Sequence, residues 1–232
     1  MQAVYQAWDS QFFGKEIYEL KLEGKETGNL SEFIQTYPPV FWQSQVDITD
    51  VTQINLLLRS GFTWASNTLK FAKTFLPINA EQRVLFKATA WDLQQVRQFV
   101  PGLYTDSRYH LKGFFAASDA DKLYDTWLQR AFSGDFDDEL LVCSKGGVAT
   151  GFVTLKYLQQ KARIGLIGVN PAYTAQGIGT CILNSLEAYC HKQGIHTISV
   201  QTQLSNLPAI GLYTKMGYEV TGIVSWFYKN GE

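Results

Sequence analysis

Residues 163–193 read RIGLIGVNPAYTAQGIGTCILNSLEAYCHKQ, and this stretch decides the fold. Its first part, 163–169, is a short apolar run of the kind that fills a buried strand. Pro171 ends the run, because proline has no N–H to donate to a sheet ladder. From Ile178 onward apolar residues recur at helical spacing, and Gly194 follows as a stop signal. The stretch therefore predicts a strand, a glycine-containing turn and a helix.

The turn before that helix has the features of an anion-binding site. Its residues are Gln176, Gly177, Ile178, Gly179 and Thr180. The first N–H groups of a helix lack internal partners, and the helix dipole favours negative charge beside them. The two glycines carry no side chain that would keep a phosphate away from the backbone. The pattern predicts that a phosphorylated group binds here, and it does not by itself require catalysis.

The downstream segment continues the alternation of strands and helices. It predicts a strand over 198–202, a helix over 208–216 and a strand over 219–229. The pattern Asn-x-x-Ala-x-x-x-Tyr-x-x-x-Gly-Tyr runs from Asn206 to Tyr218. With this pattern and the glycine turn, the sequence resembles the GNAT superfamily of acetyl-CoA-dependent N-acetyltransferases.

The two family motifs are matched to different extents. The downstream motif is complete, whereas the cofactor loop, Arg/Gln-x-x-Gly-x-Gly/Ala in the family, is matched at Gly177 and Gly179 only. Thr174 stands where Arg or Gln is usual, and Ala175 stands where Gly is common. Backbone N–H groups supply most of the contact with phosphate, so the expectation of a phosphate site is kept.

The resemblance implies a fold and a set of roles. The fold is α/β (α+β), a GNAT fold with a mixed, mostly antiparallel central sheet flanked by helices. The resemblance makes Tyr213 the general acid for the departing CoA thiolate, since a phenol with a pKa near ~10 is protonated at neutral pH. Asn206 bonds either the pantetheine amides or the helix as an N-cap. The residues expected to bind the cosubstrate acetyl-CoA are Ile167, Gly168, Val169, Gln176, Gly177, Ile178, Gly179, Thr180 and Asn206.

Four further stretches narrow the resemblance. They are WDSQFFG (8–14), DSRYHLKGF (106–114), KLYDTWLQRAFSGDFDDELLV (122–142) and ARIGLIGV (162–169). In this order they are similar to the dTDP-fucosamine acetyltransferase family of enterobacterial common antigen and lipopolysaccharide biosynthesis. That resemblance implies an enzyme that acetylates the amino group, at C4, of a dTDP-amino-dideoxyhexose.

The loop with Ser107, Arg108 and Tyr109 is the candidate site for the sugar nucleotide. A guanidinium fits a phosphate bidentately, which makes Arg108 the main candidate and Lys112 the second. The alternative is a surface loop in which Arg108 pairs with Asp106.

The general base has no diagnostic spacing in this sequence. His110, Asp106 and Glu139 are candidates, and a chain of water molecules would serve as well. Three histidines without a carboxylate–histidine spacing predict no metal site. His191 and His196 lie near a predicted helix end, and we expect them to be surface or helix-capping residues.

Composition limits the partners. A net charge of −1 argues against a nucleic acid or an anionic membrane as the main partner. No apolar run reaches the length of a membrane span, so no membrane insertion is expected. The three cysteines, Cys143, Cys181 and Cys190, form no C-x-x-C pair and predict reduced thiols in a cytoplasm. A homodimer stays open.

The chain is predicted to have two parts, an αβ domain over 1–78 and a GNAT domain over 84–232. Residues 77–83 are the expected linker. The aromatic stretch 8–14 predicts core packing at a turn. Hydrophobic residues make up 46% of the chain, enough to bury a substantial core.

An internal echo links the two parts. Placing Gly61 on Gly217 also places Phe71 on Phe227 and Lys73 on Lys229. The echo lacks the reactive phenol, because leucine falls at the position of the tyrosine acid. One hypothesis makes residues 1–78 a degenerate partial copy of the GNAT fold. The alternative is that helix–glycine–strand is a common joint.

The same residues allow three other interpretations of the function. A Rossmann-type dinucleotide site is disfavoured, because the third glycine of its motif is absent around Leu183. A GNAT-fold module that senses acetyl-CoA without turnover stays open, although Tyr213 argues against it. A GNAT enzyme acting on a peptide N-terminus, a polyamine or an aminoglycoside stays open as well.

Overall fold

The computed structural model describes residues 1–22, 29–75, 84–111 and 113–231. The expected linker at 77–83 and Lys112 lie outside the described residues. The strands are β1 (Gln2–Tyr5), β2 (Ile17–Lys21), β3 (Phe41–Asp47), β4 (Thr63–Thr74), β5 (Leu85–Lys87), β6 (Glu139–Lys145), β7 (Val148–Leu158), β8 (Lys161–Val169), β9 (Thr197–Gln203) and β10 (Glu219–Lys229). The α-helices are α1 (Ala7–Phe13), α2 (Leu30–Gln35), α3 (Val51–Arg59), α4 (Ala90–Phe99), α5 (Ala117–Ser133), α6 (Ile178–His191) and α7 (Leu207–Lys215).

The strands and helices of the deciding stretch and its downstream segment lie where the sequence predicts them, within two residues. The aromatic stretch 8–14 differs, because it forms helix α1 rather than a turn. Gly14 follows that helix as its C-cap, and its φ of 63° places it in the left-handed region. Phe12 and Phe13 pack against the core as expected.

Within the described residues the ten strands form one sheet, in the order β1-β2-β3-β10-β4-β9-β8-β7-β6-β5. The pairs β2–β3 and β8–β9 are parallel, and the other neighbours pair antiparallel. This confirms the mixed, mostly antiparallel sheet. Helices α2, α3, α6 and α7 cover one face, and α1, α4 and α5 cover the other.

The middle of the sheet is symmetric about the pair β4–β10. Two strand–helix–strand units, β3–α3–β4 and β9–α7–β10, face each other. The second strand of each unit pairs with the first strand of the other unit. The parallel pairs β2–β3 and β8–β9 continue the symmetry outward.

The register and the side chains repeat the same relation. The β4–β10 ladder has two irregularities, which skip Ala65 on one strand and Thr221 on the other, at equivalent positions. Lys229 reaches Gly61, and Lys73 reaches Gly217, so the echoed residues contact each other reciprocally. The sheet topology therefore supports the hypothesis that residues 1–78 are a partial copy, and their common origin stays a hypothesis.

The two predicted parts, 1–78 and 84–232, share this sheet, and their division stays a prediction. We expect residues 84–232 expressed alone to lose cooperative folding, because β10 then has neither neighbour and Phe227 and Tyr228 lose their cover. A separate chain of residues 1–78 is expected to restore a folded complex, since the pairing needs no covalent link. Gel filtration and thermal denaturation would show this. A cooperative transition in 84–232 by itself would contradict it.

Candidate active site

The parallel strands β8 and β9 separate after a short paired segment. Residues 161–163 pair with residues 197–199, and the described residues show no further pairs between these strands. Residues 164–169 and 200–203 then line a cavity of about 480 Å³, called here the gap cavity. An open space therefore stands where a continuous sheet would have ladder hydrogen bonds.

Backbone alternation aims two N–H groups of β8 at the gap. The N–H groups of Leu166 and Asn170 point toward β7, because they donate to a hydroxyl (2.8 Å) and a carbonyl (2.9 Å) of that strand. Residues next to each other in an antiparallel ladder point their N–H groups to opposite sides. The N–H groups of Ile167 and Val169 therefore face the gap cavity, which both residues line.

Gly168, between these two residues, is required by packing. A Cβ there would lie 2.6 Å from Phe152 Cε1 and 2.8 Å from Leu103 Cδ1. The Ile167 carbonyl accepts a hydrogen bond from the Tyr104 hydroxyl at 3.3 Å. Of the three predicted residues, two offer N–H groups to the gap and one leaves room for its neighbours.

A β-bulge sets the course of β8 just before these groups. The register against β7 shifts, so that Gly165 and Leu166 both stand opposite Thr154. The Thr154 hydroxyl accepts from the Leu166 N–H (2.8 Å) and donates to Asp137 Oδ2 (2.5 Å). Trp127 Nε1 donates to the same carboxylate oxygen at 2.7 Å. Asp137 has no sequence signal beyond its place in the stretch 122–142.

Helix α6 begins at the predicted anion site. Gly177 precedes it with a φ of 77°, and no side chain caps the helix. The first helical bond runs from the Cys181 N–H to the Gly177 carbonyl (3.0 Å), so the N–H groups of Ile178, Gly179 and Thr180 have no partner among the described residues. Gly179 lines the gap cavity, whereas the Gln176 side chain turns back to a backbone carbonyl at 3.4 Å.

Ala175 stands where the cofactor loop of the family commonly has glycine, and this difference affects the backbone. Ala175 has a φ of 59°, the left-handed conformation that costs an L-residue roughly 1–2 kcal/mol. A glycine adopts this conformation without that cost, which explains why glycine is common there.

Helix α7 brings Asn206 and Tyr213 to the same cavity. Asn206 is the N-cap, and its Oδ1 accepts from the Ala209 N–H at 3.2 Å. The Tyr213 ring packs 5.5 Å from the Phe71 ring, and its hydroxyl makes no hydrogen bond within the described residues. Burial raises the pKa of the Tyr213 phenol, so it holds its proton throughout the neutral range.

Arg108 lies in a cluster of aromatic side chains. Its guanidinium donates to the hydroxyls of Tyr228 and Tyr109 (2.6 Å for the latter) and to Gln43 Oε1 (3.3 Å), and it stacks 3.6 Å from the centre of the Trp226 ring. No described contact pairs it with Asp106, as the surface-loop alternative required. Burial by itself would lower the pKa of Arg108. The hydroxyls of Tyr109 and Tyr228 outweigh this effect, so the pKa of Arg108 is raised.

Two more cavities meet the gap cavity at this residue. The central cavity, about 500 Å³, is lined by α1, β2, β3 and α5 side chains, and the rim cavity, about 310 Å³, by residues 64–67 and 203–205. Arg108 lines all three, Tyr109 lines the gap and central cavities, and Ser107 lines the gap and rim cavities. The buried Ser107 hydroxyl accepts from the Tyr124 hydroxyl at 2.7 Å and orients the loop.

The candidate bases are separated by the fold. Asp106 lines the gap and rim cavities, and His110 lines the rim cavity. Glu139 lies outside all three, where its carboxylate accepts from Tyr157 and Tyr189 at 2.6 Å each and pairs with a lysine. Burial would raise the pKa of Glu139, but these hydrogen bonds outweigh it and lower that pKa.

Within the described ranges, no three His, Cys, Asp or Glu side chains are grouped so as to hold a metal ion. None of the helices in those ranges is both long and apolar enough to cross a bilayer. His191 and His196 are exposed or partly exposed, with ring centres 5.0 Å apart.

Residues 103–218 match the acetyltransferase (GNAT) family. The chain belongs to the GNAT family. It is therefore an acetyl-CoA-dependent N-acetyltransferase. A solved tandem GNAT protein from the clavulanic acid biosynthesis pathway shares the fold, with a TM-score of 0.60 at 11% identity, over 94% of this chain and 76% of that one.

Two curated GNAT relatives differ in how much of the chain they match. The dTDP-fucosamine acetyltransferase of Escherichia coli O6:H1 is 23% identical over 96% of this chain and 95% of its own length. A ribosomal protein bS18-alanine N-acetyltransferase of Escherichia coli K12 is 26% identical over 44% of this chain and 70% of its own length. The first match spans nearly the whole chain and therefore includes most of residues 1–78, called here the N-terminal segment. The second match spans less than half of the chain.

The residues present fit acetyl-CoA, the GNAT cosubstrate. The uncapped start of α6 offers three N–H groups without protein partners, as a pyrophosphate requires. The two N–H groups of β8 at the gap suit the amides and the carbonyl of an extended thioester arm. Bound there, acetyl-CoA supplies the activated acetyl group.

We expect Gly165→Ala to disturb the bulge. The added Cβ would overlap Asp137 Oδ2, which holds both Thr154 and Trp127 in place. The free energy of unfolding should fall by about 1–3 kcal/mol, and acetyl transfer should slow more than acetyl-CoA binding weakens. Urea denaturation and steady-state kinetics measure the two effects.

The matched control is Gly211→Ala in helix α7, where a Cβ meets nothing within 4 Å. This variant should keep full stability, because alanine has a higher helix propensity than glycine. Equal stability and activity in both variants would show that the bulge tolerates a side chain.

Proposed function

We propose that this GNAT enzyme transfers the acetyl group to the amino group, at C4, of a dTDP-amino-dideoxyhexose for surface polysaccharide synthesis. The observation that carries the proposal is that the N-terminal segment, included in the dTDP-fucosamine acetyltransferase match, also lines the central cavity. If this segment helps to form the acceptor site, we expect that site to bind the same kind of substrate as the relative that shares the segment.

The lining of the central cavity suits a hexose. Three tryptophan rings, Trp8, Trp127 and Trp226, offer apolar surfaces to C–H groups. Gln45 and Gln201 offer amide donors and acceptors to hydroxyl groups.

Charge disfavours a polyamine acceptor. The same cavity has two carboxylates, Asp9 and Glu19, and two guanidiniums, Arg108 and Arg163. A polycation would meet repulsion from the arginines, whereas a sugar with one ammonium and a diphosphate matches both signs. We assign Arg108 to the diphosphate as a positive charge at the junction of the cavities, flanked by Ser107 and Tyr109.

We assign the transfer step to four groups in the gap cavity. The N–H groups of Ile167 and Val169 stabilise the negative charge that develops on the acetyl oxygen. Tyr213 gives its proton to the departing thiolate sulfur. Asn206 caps α7 with its Oδ1 and keeps its Nδ2 for the pantetheine arm.

The test of the acceptor is CoA-thiol release with acetyl-CoA and a panel of dTDP-amino-dideoxyhexoses, with polyamines and peptides alongside. A 4-amino sugar nucleotide should react fastest, because the central cavity matches its hydroxyls and its charges. Turnover on a peptide or polyamine, and none on a sugar, would refute the sugar acceptor and leave the family assignment in place.

We expect Tyr213→Phe to lower kcat by roughly 100-fold and to leave acetyl-CoA affinity unchanged, because it removes only a proton donor used in the transition state. Its hydroxyl makes no other hydrogen bond in the described residues, so packing should be kept. Single-turnover kinetics and calorimetric binding separate the two effects.

Tyr218→Phe is the control, because Tyr218 is a buried neighbour whose ring lies 5.9 Å from that of Tyr213 and lines none of the three cavities. It should retain wild-type turnover. Comparable losses in both variants would assign the effect to packing, and no loss in Tyr213→Phe would show that water protonates the sulfur.

A further inference from the structure

The central cavity is lined by residues from both symmetric halves of the sheet. Two pairs of its lining residues occupy equivalent strand positions in the two halves: Glu19 and Arg163, and Gln45 and Gln201. The symmetry ends at α1, which brings Asp9 to the cavity from the N-terminal segment. This carboxylate was not among the candidate bases from the sequence.

Asp9 is connected to the junction of the cavities through Gln43. The Gln43 amide Nε2 donates to Asp9 Oδ2 at 3.5 Å, and its Oε1 accepts from Arg108 at 3.3 Å. Gln43 is only 4% exposed, so its amide is held in place. Helix α1 is itself held in place by Trp8, whose ring centre lies 5.5 Å from that of Phe136 in the segment before β6.

The central and gap cavities adjoin each other. Arg108, Tyr109, Trp127, Gly165 and Trp226 line both of them. An acceptor in the central cavity would therefore lie beside the separated strands. Asp9 lies in the part where the acceptor would sit, and Tyr213 lies in the part where the thioester would sit.

We propose that Asp9 is a catalytic residue, which binds the ammonium of the acceptor and takes its proton before the acetyl group is transferred. The assignment rests on the proposed function, because it requires an amine acceptor in the central cavity. In the step, an N–H bond of the ammonium breaks and an O–H bond forms on the Asp9 carboxylate. The neutral amine then forms the C–N bond, the C–S bond breaks, and the sulfur takes the proton of Tyr213. The second amine proton restores the phenol, and Asp9 returns its proton to solvent.

The surroundings of Asp9 suit a base. Burial raises its pKa above the ordinary carboxyl value, and the charge of Arg108 and the Gln43 hydrogen bond offset part of that rise. Tyr109 and Tyr228 also face it, and Glu19 and Arg163 share its cavity. A carboxylate with a raised pKa is a stronger proton acceptor near neutral pH.

The decisive variant is Asp9→Asn, which keeps the side-chain shape and removes the charge. We measure kcat between about pH 6 and pH 10 with the amine that the wild type acetylates fastest, together with acetyl-CoA affinity and thermal denaturation. At neutral pH kcat should fall by roughly 100-fold. The deficit should shrink about tenfold per pH unit, because the free-amine fraction then rises without a base.

Two control variants separate charge from catalysis. Glu19→Gln removes a charge from the same cavity, and it should alter KM while keeping the wild-type shape of the pH profile. Asp125→Asn removes a carboxylate that pairs with Arg97 outside all three cavities. It should change neither KM nor the shape of the pH profile. A change of profile in Glu19→Gln alone would assign the role of base to Glu19.

Gln43→Met is the second test, and it leaves Asp9 intact. The hydrogen bond from Gln43 lowers the pKa of Asp9, so its loss should raise that pKa and move the acid limb of the kcat profile to higher pH. An unmoved acid limb overturns the proposal, even if Asp9→Asn fails to fold.

The remaining outcomes are also decisive. A deficit of Asp9→Asn that is constant across pH shows a structural role, and an unchanged kcat shows that another group takes the proton. Both overturn the proposal. The wild-type acceptor panel decides the substrate class separately, so a peptide or polyamine as best acceptor would refute the sugar and leave Asp9 to be tested on that amine.

Discussion

The separation of β8 from β9 is the constraint on which the rest of the structure depends. A parallel pair that continued past residue 163 would use the N–H groups of Ile167 and Val169 in its own ladder. The bulge opposite Thr154 directs β8 away, and the buried Asp137 carboxylate holds that bulge. Backbone groups that elsewhere stabilise the sheet become available to a ligand.

The N-terminal segment completes both the sheet and the site. Strand β4 enters between β9 and β10, and β3 covers the other side of β10. The same segment supplies Asp9 and Gln43 to the central cavity. Its strands therefore stabilise the catalytic half, while its side chains line the cavity to which we assign the acceptor.

Local sequence was sufficient to predict the elements that carry the glycine turn and the motif from Asn206 to Tyr213. The glycine turn at Gly177 and Gly179 and the motif from Asn206 to Tyr213 lie on elements whose start and stop signals are local. The structure brings Gly179, Asn206 and Tyr213 to the gap cavity. The residues of the central cavity were harder to predict, because Asp9 and Arg108 are far apart in sequence and are linked in the structure by Gln43. No spacing rule covers such a meeting.

The sequence by itself determined the order of strands and helices in the second half, the family and the internal echo, because periodicity, capping residues and glycine positions act over a few residues. Only the tertiary structure decided that the echoed units exchange strands, that Arg108 is held by tyrosine hydroxyls, and that a carboxylate of α1 lines the central cavity. Those arrangements depend on the pairing of distant strands and on shared burial, and neither leaves a periodic signal in the chain.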